Sequence, residues 1–181
     1  MASTGALWWM TPLQAIAAVS AGVNCGASGL QSVMVFPLLE LPEVPAIYSA
    51  KQMRWLLHWS DRLFPRVNAL SEILNLSTTI IAFLKRHENR AAAEKWPFLA
   101  AAFALNVATT AWSLGIQVPM NGGMRECARN LENKNGDDEK SEKEFRRLQA
   151  RWKPRALVRA SMMLASCVVG LYTVYLDGKY I

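Results

Sequence analysis

The chain has 181 residues, one domain by length, and a formal net charge of +6 at neutral pH. Hydrophobic residues make up 52% of it, yet the mean hydropathy is only +0.10, because charge is concentrated in one stretch, Arg125–Lys153. The basic excess is local and forms no stripe interleaved with aromatics, which argues against nucleic acid as a partner.

Four apolar segments follow one another: Leu13–Leu39, Val67–Leu84, Trp96–Val118 and Ala156–Leu176. Each has the length, or nearly so, to cross a hydrocarbon core of about 30 Å. The first lacks a basic leading region and is too long for a signal peptide. Only two charges, Glu72 and Arg159, fall within the four. Polar residues recur at helical spacing: Asn24, Ser28, Gln31; then Asn68, Glu72, Asn75, Thr79; then Asn106, Thr110, Ser113, Gln117; then Arg159 and Ser166. Lipid penalises such stripes, so they are expected to face inward. The fold predicted is an all-α, integral membrane four-helix bundle of one domain, with an interfacial amphipathic helix in the first loop.

That helix is read from Trp55, His58, Trp59 and Arg62, at i, i+3, i+4, i+7 within Glu40–Phe64. Pro65, Pro97 and Pro154 are expected to open the second, third and fourth segments. Pro119 is expected to end the third, with Asn121-Gly122-Gly123 as a flexible turn. Residues Arg125–Lys153 read as a charged loop whose later part, Ser141–Arg151, is helical. Ala18, Gly22 and Gly26 give the first helix a small-residue face for close packing. Cys25, Cys127 and Cys167 are scattered and read as small buried side chains.

An even number of spans puts both termini on one side. Five Lys/Arg fall on that side and fifteen on the other, so the termini are expected to be lumenal and the polar loops cytosolic. On that basis Gln31, Asn68, Glu72, Ser113, Gln117, Asn121 and Arg159 share the cytosolic half of the bundle, below a loop bearing Tyr48, Trp55, His58 and Trp59. Mutual pairing of Glu72 with Arg159 is the structural alternative to a functional role for them. The tryptophans serve equally as interfacial belt residues. No metal-ligand spacing, phosphate loop or haem motif is present.

Four places together resemble the anthrone oxygenase family, small four-helix membrane proteins. They are the small-residue first helix ending near Phe36-Pro37, Tyr48…Trp55…Trp59 leading into Pro65, Pro119-Met120-Asn121, and Trp152…Arg159. The family's Asn three residues before that Arg is Ala156 here, so no role for that Asn carries over. The resemblance implies a monooxygenase of polyketide tailoring, often fungal, that oxidises a phenolic anthrone to an anthraquinone. It uses O₂ as co-substrate and no added cofactor or metal. It implies a hydrophobic aromatic substrate, a lipid bilayer around the protein, and an endoplasmic-reticulum or other endomembrane location. The candidate catalytic residues are His58, Glu72, Asn121 and Arg159, with His58 or Glu72 as base. The candidate substrate-binding residues are Gln31, Tyr48, Trp55, Trp59, Asn68, Gln117 and Trp152. A related isomerase or cyclase, or a scaffold whose polar stripes simply pair, are the competing readings.

Overall fold

A computed structural model of the chain describes residues 9–179. Four long helices account for most of them: α1 (Met10–Leu39), α2 (Ala46–Lys85), α3 (Arg90–Asn133) and α4 (Glu139–Gly178). All four are long and apolar enough to cross a membrane, and the chain is an all-helical membrane protein. The described residues contain no strand.

The helices run further than the apolar segments. The interfacial helix expected around Trp55–Arg62, within the loop Glu40–Phe64, is not separate: it is continuous with the second apolar segment in α2, which starts at Ala46. Most of the expected charged loop 125–153 is helical too. It is divided between the end of α3 and the start of α4, with a turn of 134–138 between them. Pro65, Pro97 and Pro154 lie inside helices rather than at their starts. A proline inside a helix leaves a carbonyl without its amide, a cost that neighbouring helices and side-chain donors offset in membrane helices. Pro119 does not end α3, and Asn121-Gly122-Gly123 is helical. Gly123 is there for space: a Cβ on it would come within 3.1 Å of Leu148 Cδ1.

Two π-helical turns widen the helices, Gln31–Val35 in α1 and Ser113–Gln117 in α3. Each precedes a proline, Pro37 or Pro119, and each carries one of the candidate glutamines. Asn89 Oδ1 accepts from the Ala92 amide and caps the start of α3. Asp138 caps α4, accepting from the backbone and the hydroxyl of Ser141. Between them the chain reverses through Asn135 and Gly136, both at positive φ, where the Gly136 amide donates to Leu131 O at 2.7 Å.

The chain forms two compact units, and each helix contributes one stretch to each. The first, the Lys95 unit, takes Met1–Cys25, Pro65–Thr110 and Ser161–Ile181. Its four helical stretches close on one another. Ser71 in α2 donates to Ala17 O in α1, and Asn106 in α3 donates to Ser71. Ser166 in α4 donates to Ala102 O in α3. Ala18 and Gly22 receive α4: a Cβ on Gly170 would lie 3.0 Å from Ala18 Cβ, and one on Gly22 3.2 Å from Cys167 Sγ. At Ala18 and Gly22 the small-residue face thus packs helix on helix, whereas a Cβ on Gly26 would meet nothing within 4 Å.

The second, the Arg159 unit, takes Gly26–Phe64 and Ala111–Ala160. It holds the larger apolar core, including Phe36, Met53, Leu57, Met124, Leu131, Phe145 and Trp152. Phe36 stacks flat on Trp152, with ring centroids 4.2 Å apart. Arg146 in α4 donates to Leu39 O and Val44 O, both at 2.8 Å, and so fixes the connection from α1 to α2.

Candidate functional site

Two of the candidate residues belong to the Lys95 unit. Asn68 Nδ2 donates to Thr110 Oγ1, and Thr110 Oγ1 donates to Glu72 Oε1, both at 2.6 Å. In the same unit Ser71 accepts from Asn75 and Asn106. The stripes of α2 and α3 therefore pair with each other there, as in a scaffold. The unit also buries Lys95, which meets the Asp177 carboxylate; Thr11 donates to the other carboxylate oxygen at 2.7 Å.

The remaining candidates belong to the Arg159 unit, in two groups. Arg159 is 8% exposed. Its Nη1 donates to Gln117 Oε1 at 3.0 Å, its Nη2 to Ser28 Oγ, and the guanidinium lies over the Phe64 ring at 4.4 Å. These contacts are all with neutral groups, and among the described residues of its unit Arg159 forms no ion pair. Burying a guanidinium without a carboxylate costs several kcal/mol, roughly, which structure alone gives no reason to retain. Nearby polarity is also incomplete. Arg159 Nε, Gln117 Nε2 and Gln31 Oε1 are buried without a hydrogen-bond partner. Gln31 spends its own amide donor on Ser60 Oγ at 3.1 Å.

Asn121 centres the second polar group. Its Oδ1 accepts from the Trp152 indole at 2.9 Å, and its Nδ2 donates to Asp61 Oδ1 at 3.1 Å. These two bonds fix which way the amide points. Arg125 completes the group through an ion pair with Asp61 Oδ2. Asp61, Arg125 and Ser28 were not among the sequence candidates. Asp61 stands seven residues before Asn68 and eleven before Glu72, and Arg125 four after Asn121. Extending the two polar stripes through Pro65 and Gly122 would have found Asp61 and Arg125, while Ser28 already lies on the stripe of the first segment.

The aromatic candidates do not surround these groups. Trp152 is buried with one face on Phe36, so its contribution is the indole donor rather than an open stacking surface. Tyr48, Trp55 and Trp59 are 57%, 66% and 51% exposed, on the outer side of α2. His58 is exposed too, and meets Trp59 edge to face at 5.7 Å. It lines an open groove of about 670 Å³ with Lys51, Arg54, Trp55, Arg125 and Glu132. A second groove, about 450 Å³ and almost wholly apolar, runs along Val35, Leu39, Lys51, Gln52, Trp55 and Leu56. None of Gln31, Glu72, Asn121 and Arg159 lines either groove.

The arrangement offers a fixed buried cation with unspent donors beside it, and an oriented carboxylate in the same unit. Such a constellation stabilises an oxyanion and handles a proton. The anthrone oxygenase family matches over residues 61–169, more than half of the chain. The chain belongs to the anthrone oxygenase family. The matched stretch includes Asp61, Asn68, Glu72, Gln117, Asn121, Arg125, Trp152 and Arg159, and lies beyond Gln31, Tyr48, Trp55, His58 and Trp59. No curated protein and no solved structure matches the chain.

Proposed function

We propose that the chain is a membrane monooxygenase that converts a phenolic anthrone to an anthraquinone with O₂ as co-substrate. The observation that carries this reading is Arg159, a buried guanidinium whose partners are all neutral and whose charge is therefore free to act on a substrate oxygen. Family membership supports the reaction class.

The chemistry proceeds through the enolate. Loss of a proton from the ring methylene gives an electron-rich anion whose charge rests on oxygen. One electron passes to O₂, leaving a carbon radical and superoxide. Their recombination forms a carbon–oxygen bond and a peroxide. Loss of the remaining proton on that carbon breaks the O–O bond, and hydroxide leaves as water with the added proton. The sum is anthrone plus O₂ giving anthraquinone plus water. Arg159, with the free Nε2 donor of Gln117, stabilises the oxyanion. Asp61, aimed by Asn121 and Arg125, is the base in this reading, in place of His58 or Glu72.

The basic asymmetry of the sequence favours cytosolic polar loops and lumenal termini in an endomembrane, where an apolar polyketide partitions. The test supplies microsomes containing the protein with hydroxyanthrones under air and under argon, following quinone and O₂ uptake. Stoichiometric O₂ uptake with quinone formation is expected. Equal product without O₂ overturns the oxygenase reading in favour of an isomerase or cyclase.

A further inference from the structure

The two grooves of the Arg159 unit share Lys51 and Trp55, so they adjoin along α2. One carries the charges, with Lys51, Arg54 and Arg125 against the single carboxylate Glu132. The other offers Val35, Leu39 and Leu56 and almost no polar surface. Arg54 spends part of its charge on Glu132 at 2.6 Å, and Arg125 on Asp61. Lys51 has no carboxylate partner among the described residues of its unit; its ammonium lies only over the Tyr48 ring, at 5.9 Å. The rim is aromatic and exposed, with Trp55 and Trp59 edge to face at 6.3 Å.

A molecule that fills both grooves has one anionic end and one apolar end. The chain is a membrane protein, and exposed tryptophans beside cations mark the level of lipid headgroups. We propose that this surface is a specific site for an anionic phospholipid. Its phosphate is held by Lys51 and Arg54, and one acyl chain lies along Val35, Leu39, Leu56 and Trp55. Cations at headgroup level attract anionic lipid, and the apolar groove gives the chain a surface complementary to it. The proposal uses Lys51 and Arg54, which take no part in the oxygenase reading, and it stands or falls separately from that reading.

The test is native mass spectrometry of the full chain purified in neutral detergent with equal amounts of phosphatidylglycerol and phosphatidylcholine. Wild type should retain phosphatidylglycerol in about tenfold excess. The double variant Lys51→Gln/Arg54→Gln should bring the ratio near one. Lys85→Gln, which removes a cation paired with Glu88 in the other unit, should leave it unchanged. Excess glycerol phosphate should not displace the lipid, because it lacks the acyl chain. Equal retention of both lipids by wild type overturns the proposal, as does a ratio that survives the double variant. Displacement by glycerol phosphate overturns the role of the apolar groove. Misfolding of the double variant is covered by Lys51→Gln alone, an exposed change that should lower the ratio by at least about threefold.

Discussion

In the Lys95 unit the buried ammonium meets Asp177, and Thr11 takes the other carboxylate oxygen. In the Arg159 unit the buried guanidinium meets Gln117, Ser28 and the face of Phe64, all neutral. The surroundings do not separate the two units: Gln14, Asn68 Oδ1 and Asn106 Oδ1 are left without partners in the first, as Arg159 Nε and Gln117 Nε2 are in the second, so the contrast rests on the two cations themselves. A charge neutralised inside the protein holds helices together. A charge that is fixed but not neutralised is available to a ligand. The two cations, alike in burial, have opposite expected consequences when removed.

The largest separation comes from Arg159→Gln set beside Lys95→Gln. The first should lower turnover by about 100-fold or more, because it removes the charge that stabilises the oxyanion. Its melting temperature in detergent should change little, since an unpaired buried charge goes with it. Lys95→Gln leaves Asp177 buried and unpaired, and should cost about 3 to 5 kcal/mol of stability. Turnover per folded molecule should stay near wild type. Replacing both partners, Lys95→Met with Asp177→Leu, should recover most of the loss. Thermal unfolding and turnover measured on the same samples check all three. The comparison breaks if Arg159→Gln destabilises as much as Lys95→Gln.

Asn121→Ala comes next. Asp61 keeps Arg125 but loses the amide that aims it, and Trp152 loses its acceptor. Turnover should fall by about 10- to 100-fold, through misplacement rather than loss of a reacting group. Asn121→Asp should do worse, because it sets a second carboxylate against Asp61. A wild-type rate in either variant removes the Asn121–Asp61 group from the site.

These groups were only partly legible in the sequence. The four apolar segments, the inward stripes, and Arg159 and Gln117 follow from spacing, because lipid forces polar residues to one face; Asn121 follows from its end of the third segment and from the family resemblance. The helical continuity through Pro65, Gly122-Gly123 and Pro154 does not. Those residues punctuate helices in water, and only packing such as Gly123 against Leu148 shows why they do not here. Asp61 and Arg125 were lost for that reason: stripes read as ending at a proline or a glycine pair were cut short. The tryptophan spacing left a different question open. An i, i+3, i+4, i+7 pattern shows that residues share a face, not whether that face turns inward.

Glu72→Gln sharpens the contrast at smaller scale. The amide oxygen still accepts from Thr110, so stability should change by less than about 1 kcal/mol. Turnover should drop less than about twofold, as expected where the carboxylate is structural. A loss as large as that for Arg159→Gln would return Glu72 to the role of base.

The smallest effect belongs to Asp138, in the Arg159 unit but far along the chain from its polar groups. Lys134 and Ser141 hold the Asp138 carboxyl below the ordinary aspartate range, the lysine contributing most. A carboxylate depressed in the folded state contributes stability above its unfolded value, and that contribution is lost as the pH falls through the folded value. Asp138→Ala should therefore lower the melting temperature by about 2 °C at neutral pH. The gap between variant and wild type should shrink as the pH falls below the ordinary aspartate range. Turnover should not move. A cap variant that loses turnover with its small loss of stability would show that the Arg159 site depends on the stability of its unit as a whole. The Arg159→Gln result would then require correction for unfolding before it could be read as chemistry.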